Sequence, residues 1–269
     1  MTVDIHPHVI ASDARRYPFS PLGGKQSDWS RERPVDAERM IAAMDEAGID
    51  KSVLVQASTC YGHDNSYVAD AVTAHPDRFA GVFSVDVTAD DAPQRIRQWL
   101  GRGLKGLRVF IAGHTAAHDA RLDDPRAYPA WRCAVDAGIP VCVQLRAPHL
   151  PQLETLLEEF SSARIVLDHM ARPAPDDAAS LFSLARYSNL FLKFTTHNVR
   201  DAAKAGIKAE TFLRRVVDAF GARRIAWGSN YPASEGSLGE LLAEARQAAS
   251  ALPAGDQEWI FSRTARSLY

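Results

Sequence analysis

The stretch Pro140–Asp168, PVCVQLRAPHLPQLETLLEEFSSARIVLD, decides how the rest of the chain is read. Its opening, Pro140–Leu145, is a short apolar run rich in valine, as a strand buried on both faces requires. Leucines then recur at helical spacing through Leu153–Phe160, and a second apolar run follows at Arg164–Asp168. Strand, helix and strand in this order form one βαβ unit, whose crossover makes the two strands parallel.

Working outward, the same alternation repeats. Strand-like runs stand at Thr2–Val9, Ser52–Ala57, Phe79–Asp86, Gly106–Ile111, Leu190–Thr195 and Arg224–Gly228, which with the first two makes eight. Between them, Asp36–Ala47 gathers Met40, Ile41 and Met44 on one helical face, Ala92–Gly101 gathers Ile96, Trp99 and Leu100, and Thr211–Phe220 behaves likewise. Gly48, Gly103 and Gly138 stand just past helix ends. Eight such units in 269 residues predict a single-domain α/β fold over residues 1–269, a (β/α)8 TIM barrel. An open doubly wound sheet is the competing architecture, but no Gly-x-Gly-x-x-Gly opens a helix after any strand. The insert at residues 10–34, carrying Tyr17, Phe19 and Trp29, reads as a lid-like loop over the barrel mouth. Residues 255–269 read as a C-terminal helix packed on the outside.

Composition sets the function classes aside. With 46% hydrophobic and 24% charged residues, disorder is excluded as the main state. A net charge of −2 leaves no electrostatic footprint for nucleic acid or an anionic membrane. The longest uncharged, mostly apolar run, Ala137–Leu145, is too short to span a bilayer. The three cysteines, Cys60, Cys133 and Cys142, are odd in number and form no CxxC, so no disulfide framework is expected. With no secretory pattern at the amino terminus, a cytoplasmic protein is the expectation. The expected partner is a small molecule, and a homo-oligomer is left open.

In a barrel, chemistry sits at the carboxyl ends of the strands. Those ends carry polar groups on otherwise apolar runs: His6 and His8; Ser58, then His63; Asp86; Arg108, then His114 and His118; Gln144 and Arg146; Asp168 and His169; Lys193, Thr195 and His197; Asn230. His6 and His8 are two apart and share a strand face, where two imidazoles hold a divalent metal, grip an anion, or stand as ordinary polar histidines. His169 supplies a third corner or is a core histidine satisfied by a carbonyl. Arg108 ends an apolar run, where an unpaired charge is expensive. It pairs with a carboxylate such as Asp86 or binds an anionic ligand; Lys193 has the same choice, with Asp168 or Asp86 as partner.

The ordered set Asp4-Ile-His-Pro-His8, Val53-Leu-Val-Gln-Ala-Ser58, His63-Asp-Asn65, Gly103-x-x-Gly106-x-Arg108, Ile165-Val-Leu-Asp-His169 with Arg172-Pro173, Leu192-Lys-Phe194 and Trp227-Gly-Ser-Asn-Tyr-Pro232 resembles the amidohydrolase superfamily. The likeness is to its amidohydrolase-related TIM-barrel branch, with the 2-pyrone-4,6-dicarboxylate, sugar-lactone and sulfomuconolactone hydrolases. The resemblance implies a hydrolase that opens a small carboxylated lactone or related ring ester. Water attacks a carbonyl polarised by His6, His8 and His169, directly or through one divalent ion such as zinc held by those three. It gives Ser58, Arg108, Gln144, Arg146, Lys193 and His197 as substrate contacts. A metal is optional in this branch, and no lysine ends the fourth strand to bridge a binuclear centre.

One position departs from the pattern. The family's eighth strand ends Trp-Gly-Ser-Asp, with the aspartate as base or ligand, and here the residue is Asn230. An amide keeps the shape and removes the proton acceptor. Three readings stay open: another base such as His169, His197 or Asp168; an engineered inactive variant; or a barrel that binds a metabolite without turning it over. A lyase on the same scaffold, a decarboxylase or hydratase of an aromatic-pathway acid, is the alternative chemistry.

Overall fold

The computed structural model describes residues 1–110 and 121–269, so His114 and His118 lie outside the described residues. Eight parallel strands form one sheet in sequence order. They are β1 (Val3–Asp4), β2 (Lys51–Val55), β3 (Phe79–Ser84), β4 (Gly106–Phe110), β5 (Val141–Gln144), β6 (Ile165–Leu167), β7 (Leu190–Thr195) and β8 (Ile225–Gly228). Each pairs only with its sequence neighbours, for example Cys142 opposite Val166 and Lys193 opposite Ala226. Backbone bonds from Ile5 N to Trp227 O at 3.1 Å and from His8 N to Tyr231 O at 2.8 Å bring β8 back to the first strand. The predicted TIM barrel is the fold.

The strands are shorter than the apolar runs that announced them. β1 has two ladder residues, because His6 to Val9 leave the sheet to build the barrel mouth. Helices cover the outside at Ala37–Ala47, Ser66–Ala74, Ala92–Gly101, Tyr128–Asp136, Leu150–Glu159, Ala209–Phe220 and Leu238–Ala249. Asp36 caps the first of these through Arg39 N, and Gly48 ends it in the left-handed region, at φ 69°. The three cysteines are free. Among the described residues, no helix is long and apolar enough to cross a membrane.

Two concentric cores explain the uninterrupted apolar strands. Leu107, Val141, Ile165, Leu192 and Trp227 face outward and pack against the helices. Val3, Val53, Cys142, Val166 and Ala226 fill the barrel interior at its base, with Phe191 and Tyr269 against them. Because side chains alternate along a strand, two residues further on the interior layer becomes Gln144, Asp168, Lys193 and Gly228. The chemistry therefore lies one layer above an apolar plug.

That layer is narrow at the seam between β1 and β8. A Cβ on Gly228 would lie 2.6 Å from His6 Cβ. No rotamer relieves such a clash, since both atoms are fixed by backbone. Gly228→Ala is expected to destabilise the fold by about 1–3 kcal/mol, read as a lower urea midpoint at unchanged slope, and to displace His6.

Candidate active site

The floor of the barrel mouth is a buried charge cluster. Lys193 Nζ lies 2.9 Å from Asp168 Oδ1, and Arg108 Nε donates to Asp168 Oδ2 at 3.0 Å. Arg108 Nη2 also donates to Gln144 Oε1 at 2.9 Å. Lys193 and Asp168 are fully buried and Arg108 is nearly so. Asp86, the other partner considered for either cation, is exposed and accepts from Thr88 instead. Two cations thus share one carboxylate, which leaves a positive field on the floor.

The cluster sets the state of the imidazoles above it. Lys193 Nζ stands 3.1 Å from His6 Nδ1. An ammonium only donates, so His6 accepts at Nδ1 and carries its proton at Nε2. Burial first, then the Lys193 charge, holds the His6 pKa well below its ordinary value. His8 has the opposite tautomer: Nδ1 donates to the Val55 carbonyl at 2.8 Å, leaving Nε2 a bare lone pair. Burial, with Arg108 next, lowers the His8 pKa to about 3. Its ring stacks on Trp29 of the insert at 5.3 Å.

His169 is placed by backbone strain. After β6 the chain runs through four left-handed residues, His169 to Arg172, with φ between 49° and 58°. Such a conformation costs about 1–2 kcal/mol per residue without glycine. Both ends of the run are tied. Asn198 Nδ2 donates to the His169 carbonyl at 2.8 Å, and Arg172 forms a two-pronged pair with Asp201 at 2.7 Å. His169 Nδ1 meets Thr195 Oγ1 at 2.9 Å, and that hydroxyl has Asn198 Oδ1 as its own acceptor at 3.3 Å. With the hydroxyl proton turned to Asn198, His169 Nδ1 donates to Thr195 Oγ1 and its Nε2 carries the lone pair. Burial, then His197 and Arg108, pushes the His169 pKa well down.

The three imidazoles expected to converge do so: ring centroids are 5.1 Å apart for His6 and His8 and 4.6 Å for His6 and His169. A cavity of about 410 Å³ opens above them, lined by His8, Trp29, Ser58, Arg108, Gln144, Arg146, His169, Arg172, His197 and Asn230. His6 and Lys193 do not line it; they lie beneath its floor. The Arg146 guanidinium makes no hydrogen bond or ion pair among the described residues, whereas Arg172 is committed to Asp201. Asn230 sits in the left-handed region at φ 59°, a conformation that asparagine tolerates. Its Nδ2 donates to His197 Nε2 at 3.2 Å and Ser234 Oγ at 3.0 Å. With both amide hydrogens engaged, its remaining polar atom is an acceptor that cannot take a proton. Asp168 is also unavailable as a base, being buried and held by two cations. Sequence reading placed Trp29 in the insert over the mouth but missed the support Asn198, for which the Thr195-Thr-His-Asn198 spacing, a capping box, was the available signal.

The donor set does not fit a resident metal ion. Among the described residues, no three histidine, cysteine or carboxylate side chains converge as a metal requires. The Lys193 ammonium lies against His6, and the eighth strand offers an amide.

Comparison with known proteins finds lactonase and hydrolase relatives, and decarboxylases that share the fold: a 5-carboxyvanillate decarboxylase from Sphingomonas paucimobilis does so at TM-score 0.72 and 17% identity, covering 100% of this chain and 98% of that one. The family profile described as Amidohydrolase matches residues 3–269. An L-fucono-1,5-lactonase of Burkholderia ambifaria is 28% identical over 261 residues, 91% of this chain and 87% of that protein. The crystal structure of a "probable 2-pyrone-4,6-dicarboxylic acid hydrolase" from Acinetobacter baumannii, with citric acid bound, shares the fold at TM-score 0.77 and 19% identity, covering 99% of this chain and 98% of that one. An amidohydrolase from Burkholderia multivorans with bound zinc does so at TM-score 0.81 and 22% identity, over 100% and 99%.

The depressed histidines make stability acid-sensitive. Burial, then Arg172, lowers the His197 pKa to about 4, and His8 sits at about 3, against 6.5 for a free imidazole. Below pH 6.5 the unfolded chain takes up protons that the native state refuses, so stability is complete above that pH and falls on acidification. The slope is about 1.4 kcal/mol per pH unit for each such histidine. Urea midpoints measured from pH 7 to pH 4.5 are expected to fall, and His8→Gln to flatten the decline.

Proposed function

The chain belongs to the amidohydrolase family, and on that premise we propose that it is a hydrolase that opens a small carboxylated lactone. One observation carries the reading: a neutral imidazole, His169, has its Nε2 free in a cavity that also holds an unpaired guanidinium, Arg146. A base and an anion anchor therefore face the same small volume. The lactonase relative supports the reaction class.

In this mechanism Arg146 holds the substrate carboxylate at the mouth and Arg108 faces the scissile carbonyl. Arg108 has Nη1 to spare, since Nε and Nη2 are occupied by Asp168 and Gln144. Its positive charge stabilises the oxyanion as it forms. Asn230 orients the attacking water and His169 Nε2 removes its proton. His169 is the base that replaces the missing aspartate. Burial and the charges around it keep the ring neutral, with its lone pair unprotonated. Collapse of the tetrahedral species breaks the acyl C–O bond of the ring and leaves a hydroxy acid.

The test is acid release from 2-pyrone-4,6-dicarboxylate, 5-oxotetrahydrofuran-2-carboxylate and L-fucono-1,5-lactone. Opening of at least one carboxylated lactone is expected, and a folded protein inert towards all three defeats the reading. His169→Gln is expected to lower kcat by about 10²–10⁴ with KM little changed. Arg146→Met is expected to raise KM for the carboxylated lactones about tenfold or more while sparing kcat, as loss of a charge-assisted hydrogen bond does.

A further inference from the structure

The His63-Asp-Asn65 motif stands beside the cavity and takes no part in the chemistry above. Ser58 lines the cavity and is almost fully buried. Its Oγ lies 3.4 Å from Ser84 Oγ, at the end of β3, and Ser84 Oγ lies 3.1 Å from His63 Nδ1. Ser84 is wholly buried, whereas His63 is partly exposed and does not line the cavity. Two hydroxyls and an imidazole thus form a continuous row from the cavity wall to a different face of the barrel mouth.

Asn65 fixes this row. Its Oδ1 accepts from Ser84 N at 2.8 Å, and its Nδ2 donates to the Ser84 carbonyl at 3.0 Å and the His63 carbonyl at 2.9 Å. One amide therefore clamps the backbone of Ser84 and His63 together. His63 also stacks on Phe110 with its ring nearly parallel, at 6.1 Å and 14°. A fully satisfied buried amide rigidifies the backbone it bonds, and here that backbone carries Ser84 and His63.

We propose that Ser58, Ser84 and His63 form a proton relay that protonates the leaving oxygen of the lactone. The inference rests on the hydrolase reading. When the acyl C–O bond breaks, its electron pair stays on the ring oxygen. Ser58 Oγ–H gives that oxygen a proton, Ser84 Oγ–H replaces it on Ser58, and His63 Nδ1–H replaces it on Ser84. His63 Nε2 takes a proton from bulk water as Nδ1 gives one up, so the imidazole stays neutral, and exchange with solvent between its two neutral tautomers restores Nδ1–H before the next turnover. The proton that His169 removed from the attacking water leaves through the open mouth, and the count closes. Burial lowers the His63 pKa against the opposing pull of Asp86, which suits a ring that resets as a neutral species. The 3.4 Å link is long for a hydroxyl pair, and such catalytic contacts shorten on substrate binding.

The leaving group separates this role from a structural one. With 5-oxotetrahydrofuran-2-carboxylate the departing oxygen is an alkoxide and needs a proton; with 2-pyrone-4,6-dicarboxylate it is a stabilised enolate and does not. Ser84→Ala and His63→Ala are each expected to lower kcat on the first lactone by about tenfold to a hundredfold, with KM within about threefold, and to leave the second nearly unchanged. The double variant is expected to be no slower than either single one. Added imidazole is expected to restore His63→Ala and not Ser84→Ala, whose break lies deeper. Folded Ser84→Ala with full kcat on the alkyl lactone overturns the relay and leaves the hydrolase reading standing. Equal losses on both lactones, or activity of the unaltered protein on the pyrone alone, also overturn it. An unaltered protein inert towards both overturns the relay, and inertness towards L-fucono-1,5-lactone as well removes the hydrolase reading with it.

Discussion

The contact of Lys193 and Arg108 with the single carboxylate of Asp168 governs the rest of the site. Buried ions are expensive, and this group leaves one positive charge uncompensated under the cavity. That excess does two things. Added to burial, the larger cause, it suppresses protonation of His6, His8 and His169, which keeps lone pairs available. It also presents a positive floor to anything that enters, which favours an anion and a developing oxyanion.

Tautomers follow from the same geometry. Lys193 forces His6 to accept at Nδ1, whereas a carbonyl and a threonine hydroxyl make His8 and His169 donate there. Three histidines that look alike in the sequence thereby acquire two different roles. His6 becomes part of the buried support, and the other two present bare nitrogens to the cavity.

The left-handed turn at His169 and the amide at Asn230 are connected through His197. Asn230 holds His197 by one hydrogen bond, and the His197 ring meets His169 edge to face at 5.0 Å. Replacing a carboxylate by an amide at the end of β8 removes a negative charge that would otherwise raise the pKa of both histidines. In the proposed mechanism the burden of proton removal then falls on an imidazole rather than a carboxylate. The strained backbone at residues 169–172 is what holds that imidazole over the cavity.

Much of this was legible in the residues themselves. Interior-facing positions on parallel strands admit few residue types, so the apolar runs announced the barrel, and charged residues at their ends announced the mouth. That Arg108 and Lys193 each need a carboxylate or an anionic ligand was also legible, because an unpaired buried charge is prohibitive. Which carboxylate pairs them was not: Asp86 and Asp168 both end strands, and only the strand twist and the turn after β3 send Asp86 to solvent. Nor could spacing reveal which histidines line the cavity and which lies beneath it, or that Asn65 clamps Ser84 across 19 residues. The sequence by itself determined the periodicity, and with it the layers and the end of the barrel where polar groups gather. Tertiary structure alone decided partners and tautomers, because each depends on distances of a few ångströms between segments whose separation along the chain carries no such information.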